Sequence, residues 1–149
     1  SRACEGSRSP METALAMMVV APRSLGGLGY SGAVMNERVD VPRELRRHYS
    51  SPYFELDVFA PRHKAGLEYD GDEHARLDRR THDVDRASAL GDMGYEVRNV
   101  TARHFSRQLE LHRVLVWFAD RLRLRVNMDD GFQRRQNELR KFAIRRWHV

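Results

Sequence analysis

Strand-like segments, in which apolar and polar residues alternate with a period of two, occur at four places in the chain. The clearest is residues 53–60, where Phe54, Leu56 and Val58 can face one way while Asp57 faces the other. This alternation predicts a strand with one buried face. Three further strands are predicted, the first with imperfect alternation, at residues 33–41, 65–70 and 95–100.

Helical periodicity dominates the second half of the chain. From Leu111 to Leu122, four apolar residues recur at spacings of four, three and four, which is typical of one buried helix face. This stripe predicts a long helix over residues 102–125. Further helices are predicted over residues 10–20, 77–93 and 132–147, the last after a break at residues 129–131.

The limits of two helices carry recognisable signals. Ser9 and Pro10 are typical of an N-cap followed by proline at the first helical position, and Glu12 suits the first turn. Gly94 is placed to end the helix over residues 77–93.

The order of these elements predicts the fold class. Three consecutive strands favour an antiparallel meander, and a strand that follows a long helix can join the sheet in parallel through a crossover. We therefore expect an α/β fold, a mixed sheet of about four strands flanked by helices.

Composition limits the cysteine-based sites and the cell compartments that we expect. Cys4 is the only cysteine, which excludes an intramolecular disulfide and a cysteine-based zinc site and favours a reducing cytoplasm. The apolar residues 14–21 are too few to span a bilayer, and they lack the flanking features of a signal peptide. We expect a cytoplasmic protein with no membrane partner.

The net charge of +5 is unevenly distributed. Residues 121–149 hold nine of the 26 Lys and Arg residues but only three of the 21 Asp and Glu residues. A basic tail on a nearly neutral domain suggests a polyanionic partner, although a solvated helix face would show the same composition.

The candidate chemistry lies on the predicted hairpin of the strands over residues 53–60 and 65–70. Glu68 and Asp70 share a strand face, and cross-strand pairing can bring Asp57 beside them. Three such carboxylates repel one another unless a cation or a proton intervenes, and oxygen ligands suit Mg²⁺ or Mn²⁺. Outward-facing acids on an ordinary strand are the alternative interpretation.

Four short motifs occur in order between Ser9 and Phe118. Residues 65–74 read AGLEYDGDEH, a hydrophobic–E-x-D-G-x-x-H pattern, and residues 9–13 contain S-P-x-E. Residues 53–58 end in a D-hydrophobic pair, and residues 83–98 contain D-x-x-R followed by G-Y-x-V-x-R. Together they resemble a bacterial domain family related to very-short-patch-repair endonucleases, which have the PD-(D/E)XK restriction-endonuclease-like fold.

The resemblance implies a set of site residues and one departure. It implies roles for Glu12, Asp57, Glu68, Asp70 and His74, with Arg86 and Arg98 as secondary candidates that would contact nucleic acid. The wider PD-(D/E)XK pattern has Lys two residues after the Glu, where this chain has Asp70. Either Asp70 binds metal and another residue, His74 or Lys64, assists, or the site is catalytically degenerate.

These observations lead to an expected function. We expect a Mg²⁺- or Mn²⁺-dependent endonuclease acting on DNA, with a loose lead-in at residues 1–8, the nuclease-like domain at 9–125 and a basic helical tail at 126–149. The tail would hold the nucleic acid through Arg134, Arg135, Arg140, Lys141, Arg145 and Arg146. The alternatives are a degenerate nucleic-acid-binding module of a repair, defence or toxin–antitoxin system, and a small interaction protein whose last helix packs on a partner.

Overall fold

The computed structural model describes residues 9–49, 52–70 and 80–147, which form a mixed sheet flanked by helices. The strands are β1 (Val34–Asp40), β2 (Tyr53–Ala60), β3 (Ala65–Tyr69) and β4 (Glu96–Val100). The helices are α1 (Pro10–Val20), α2 (Arg80–Asp92), α3 (Ala102–Ser106), α4 (Gln108–Arg121) and α5 (Asp130–Trp147). The predicted α/β class is confirmed.

The sheet has the order β1-β2-β3-β4. The first three strands pair antiparallel, and β4 pairs parallel to β3 after the crossover through α2. The β2–β3 connection is tight: Pro61–His63 forms a single 3₁₀ turn, and Lys64 adopts a left-handed conformation with φ 49°. Both the antiparallel meander and the parallel addition of the fourth strand agree with the prediction.

The sheet separates two apolar cores. The first lies under α1, α4 and α5 and includes Val58, Leu67 and Phe118. The second lies under α2 and includes Phe59 and Leu90. Residues of β2 and β3 contribute to both cores, so the central hairpin is covered on both sides.

Helix α1 is buried on most of its circumference, because it packs against the sheet and against α5. Its interior positions are apolar or small, as a helix with buried sides requires. The predicted cap is confirmed: the Ser9 Oγ accepts a hydrogen bond of 3.2 Å from the Glu12 N–H, and Pro10 occupies the first turn.

The single helix predicted over residues 102–125 is wrong. Arg107 takes an extended conformation, with φ −127° and ψ 108°, and separates α3 from α4. The start of α3 is fixed by a local cap, in which the Thr101 N–H donates to the His104 Nδ1 at 2.9 Å. Helix α4 ends at Arg121, and Arg123 then adopts a left-handed φ of 56°.

Helix α5, the predicted basic tail, packs one face against the rest of the chain. Phe132, Gln136, Leu139 and Ala143 are buried along that face. The predicted break before it is a helix start, because the Asp129 Oδ1 accepts a 2.8 Å hydrogen bond from the Phe132 N–H. Basic charge and burial therefore lie on opposite sides of the same helix.

Arg140 fastens α5 to α3. Its Nη1 donates to the Phe105 carbonyl at 2.6 Å, and its Nε donates to the Asn137 Oδ1 at 3.0 Å. We expect Arg140→Gln to lower the free energy of unfolding by about 1–2 kcal/mol, because the carbonyl of a buried residue loses its charged donor. The exposed Arg134 is the matched control, and Arg134→Gln should change stability by less than about 0.5 kcal/mol in urea unfolding. Equal effects of the two substitutions would contradict the fastening role.

Among the helices within residues 9–49, 52–70 and 80–147, none combines the length and the apolar content needed to cross a membrane.

Candidate functional site

Two of the predicted site residues lie just beyond the end of the β2–β3 ladder. Val58 pairs with Leu67 as the last pair of that ladder, and Asp57 and Glu68 are the next residue of each strand. The Asp57 Oδ2 accepts a 2.8 Å hydrogen bond from the backbone N–H of Tyr69. The carboxylate of one strand is therefore anchored to the backbone of its neighbour at the end of the hairpin ladder.

Asp70 follows directly after β3. Its backbone N–H donates to the Val100 carbonyl at 2.8 Å, which ties the end of β3 to the end of β4. The three acids of the hairpin, Asp57, Glu68 and Asp70, thus lie within two adjacent strands and the first residue beyond them. A shared site formed by these three acids stays a prediction.

Arg86 of α2 reaches across the second core to Glu68. Its Nη1 donates to the Glu68 Oε2 at 2.5 Å, and its Nη2 donates to the Glu68 Oε1. The same Nη2 lies 3.0 Å from the Glu55 carbonyl, and the guanidinium carbon lies 5.7 Å from the Phe54 ring centroid. The two side chains are only 22% and 17% exposed, so this bidentate pair is shielded from solvent.

The Arg86–Glu68 pair bears on the predicted electrostatics. The three hairpin acids required a cation or a proton, and a guanidinium supplies one positive charge among them. Arg86 was predicted as a nucleic-acid contact, whereas its donors here meet Glu68 and the Glu55 carbonyl. A phosphate role for Arg86 stays a prediction.

An irregularity in β1 lies across from Asp57. Asn36 occupies that register position, between the pairs Met35↔Val58 and Glu37↔Leu56. Asn36 has a left-handed φ of 51°, an uncommon conformation inside a strand, and its Nδ2 is buried with no hydrogen-bond partner among the described residues. Local strain of this kind often accompanies functional sites, and no pattern in the sequence pointed to Asn36.

The packing of β2 also changes at Asp57. Leu56 belongs to the second core, whereas Val58 belongs to the first. The predicted strict alternation, with both residues on one face, is therefore interrupted at Asp57. This interruption leaves Asp57 half-buried at the boundary between the two cores, with its carboxylate turned toward the backbone of Tyr69.

Tyr69 is a further residue of this region that the sequence did not single out. Its ring packs edge-on against Phe105, with centroids 6.2 Å apart. Burial, together with the neighbouring charge of Asp70, raises the pKa of the Tyr69 phenol above its usual value. The shift favours the protonated, hydrogen-bond-donating form of the hydroxyl.

Glu12 and His74 are the other two predicted site residues. Glu12 lies in the first turn of α1, the helix that packs on β2 and β3, and it is half-buried. His74 and Gly71 lie outside the described residues. The participation of Glu12 and His74 in the site stays a prediction.

The donor chemistry of the hairpin suits a hard divalent cation, since carboxylate oxygens are the ligands that Mg²⁺ and Mn²⁺ prefer. Both oxygens of Glu68 already accept hydrogen bonds from the Arg86 guanidinium, so the hairpin differs from an open set of metal ligands. Within residues 9–49, 52–70 and 80–147, no group of three or more His, Cys, Asp or Glu side chains is arranged to hold a metal ion.

The predicted basic residues occupy distinct environments. Arg98 stacks over the indole of Trp117, with its guanidinium carbon 4.4 Å from the ring centroid. Arg140 is committed to the contacts with α3 described above. Arg134, Arg135, Lys141, Arg145 and Arg146 are exposed on α5. The outward surface of α5 is thus strongly basic over the length of the helix, and Glu138 is the one acidic residue after the first turn.

Comparisons with protein-family models, with curated proteins and with solved structures found no match to this chain. The interpretation of the hairpin therefore depends on its residues and their geometry.

Proposed function

We propose that the protein is a metal-dependent endonuclease of the PD-(D/E)XK type, which hydrolyses phosphodiester bonds in DNA. The observation that carries the proposal is the hydrogen bond from the Tyr69 N–H to the Asp57 Oδ2, which holds the Asp57 carboxylate at the end of β3, the strand that contains Glu68 and leads to Asp70. The order of helix, three strands, helix and strand around this hairpin supports it, since it agrees with the fold that the motifs resemble.

The proposed roles follow from the chemistry of each group. Asp57, Glu68 and Asp70 would hold Mg²⁺ or Mn²⁺, which when bound supplies an activated water and neutralises negative charge on phosphate. Glu12 would provide a further carboxylate, and His74 would carry a proton or grip a phosphate oxygen. Arg98 and the exposed cations of α5 would contact the phosphate backbone without reading sequence.

Asp57→Asn tests the catalytic proposal. The amide keeps the size of the side chain but removes its charge, so we expect DNA cleavage in Mg²⁺ or Mn²⁺ to fall by about 100-fold or more. The measurement is nicking and linearisation of plasmid DNA by the full chain. Glu44→Gln, at an exposed loop position, is the charge-matched control and should leave the rate unchanged. Equal rates for both variants would refute the role of Asp57.

The Arg86–Glu68 pair favours a second candidate function, a nuclease-fold module that binds nucleic acid without cleaving it. In that case Arg86 permanently supplies the positive charge that a metal would bring. The absence of the usual Lys at position 70 would then also reflect the loss of catalysis. Such a module shows tight binding in EDTA that weakens steeply as salt rises, and no cleavage in either metal. Cleavage by the wild-type chain that Asp57→Asn abolishes would exclude it.

A further inference from the structure

A basic strip with an exposed aromatic residue runs along one flank of α5. Arg135, Phe142 and Arg146 are spaced by seven and four residues, which aligns them on one side of the helix over about 16 Å. Phe142 is 47% exposed although it is large and apolar. We call these three residues, together with Arg145 and Arg23, the α5 strip.

The neighbours of Phe142 on the helix surface are cationic on one side. Arg145 and Arg146 lie three and four residues further along, at the spacing where side chains meet. Glu138, four residues before, is occupied in an ion pair with Lys141 at 3.5 Å. Phe142 therefore has two arginines at neighbouring positions of the helix surface.

The loop after α1 adds a further cation at the start of the strip. The Nε of Arg135 donates to the Arg23 carbonyl at 3.4 Å, and the guanidinium carbon of Arg135 lies 5.8 Å from the Phe132 ring centroid. The Nε of Arg23 donates to the Leu28 carbonyl, and its Nη1 donates to the Arg125 carbonyl at 3.2 Å. These bonds fix two guanidinium groups against backbone carbonyls, and neither forms an ion pair with a carboxylate of the described residues.

We infer that the α5 strip binds single-stranded DNA, with an unpaired base stacked on Phe142 and flanking phosphates held by its arginines. This inference rests on the nucleic-acid partner in the proposed function, but not on cleavage. Cations alone would suit a duplex backbone equally well. An exposed ring flanked by cations adds a stacking platform, which suits an unpaired base better than the stacked pairs of a duplex.

Fluorescence anisotropy with a labelled oligothymidine, measured on the full chain in EDTA, tests the inference. Phe142→Leu keeps the position apolar but removes the flat ring, and we expect it to weaken single-strand binding by about 10-fold. Phe142→Trp should bind at least as tightly as the wild type. Binding of a blunt duplex of the same length should change by less than about 2-fold in both variants.

Because Phe142 lies at the surface, its substitution should not unfold the protein, and a change in affinity can be assigned to the lost ring. Equal single-strand affinities for the Leu and Trp variants, or no single-strand binding by the wild type, would overturn the inference. So would a loss of self-association in Phe142→Leu, seen by sedimentation, without a change in DNA affinity, since the strip would then be a contact between copies of the chain. A failure of the cleavage proposal can be distinguished from a failure of this inference, because oligothymidine binding is measured in EDTA, without cleavage. Asp57→Asn should lower cleavage by about 100-fold or more and leave oligothymidine binding unchanged.

Discussion

Alanine at position 26 is expected to lower the free energy of unfolding by about 3 kcal/mol or more, and to loosen α5. Gly26 has φ 96°, and a Cβ built on it would lie 2.3 Å from the Gln136 N and 2.4 Å from the Arg135 carbonyl carbon. These atoms are helix backbone, so no side-chain rotation can relieve the overlap. Either the loop after α1 or α5 itself must move.

A matched substitution separates the steric cost from the conformational cost. Gly94 also has a left-handed φ, 84°, but the nearest atoms to a Cβ there belong to the flexible Lys64 side chain, 3.8 Å away. Gly94→Ala should therefore cost only about 1–2 kcal/mol, the usual penalty of a left-handed conformation. Gly91→Ala, where a Cβ meets nothing within 4 Å in α2, should stabilise by up to about 1 kcal/mol.

Urea unfolding and hydrogen exchange measure the two effects together. In Gly26→Ala, amides of α5 should exchange faster than those of the β2–β3 hairpin, because the helix leaves its site before the sheet opens. If Gly26→Ala and Gly94→Ala prove equally destabilising, the close packing of this loop on α5 does not contribute to stability.

The hairpin was predictable because its signals are local. Alternation over residues 53–60 and a turn just after them define two adjacent strands, and the register then follows from the short connection. The strands that contain Asp57 and Glu68 could be paired without information from distant residues. The left-handed conformation of Asn36 did not follow from the strand pattern, because regular strand residues have a negative φ.

The helices were predicted less well where a local feature competes with periodicity. The apolar stripe from Leu111 to Leu122 belongs to α4 alone. The predicted start at residue 102 agrees with the cap between Thr101 and His104, but the extended Arg107 divides the predicted helix into α3 and α4. Helix α5 was predicted as a basic helix at nearly the observed bounds. The burial of Phe132, Leu139 and Ala143 adds that this helix also packs against the rest of the chain.

The ion pair between Arg86 and Glu68 required the fold. The two residues are 18 positions apart, and the crossover through α2 brings them together on the second core. Both were singled out from the sequence, but for different roles. A pairing across a parallel crossover leaves no regular spacing in the chain, so neither charge nor periodicity could indicate it.

Arg86→Met is expected to destabilise the protein by about 3 kcal/mol, because the shielded Glu68 carboxylate loses its bidentate guanidinium partner. The double variant Arg86→Met/Glu68→Gln should recover much of this loss, since it also removes the negative charge that the guanidinium balanced. In a double-mutant cycle by urea unfolding, the coupling energy should be about 1–3 kcal/mol. Additive effects would mean that the pair contributes nothing beyond its separate parts.

The same variant distinguishes the two candidate functions through Mn²⁺. A cation that binds only the folded chain raises its melting temperature, by an amount set by its concentration and affinity. If Arg86 occupies the place of a metal permanently, Mn²⁺ should stabilise Arg86→Met but not the wild type. If the hairpin is an active metal site, Mn²⁺ should stabilise the wild type, and Asp57→Asn should remove that effect. Arg86 would then be an alternative partner that the metal displaces from Glu68.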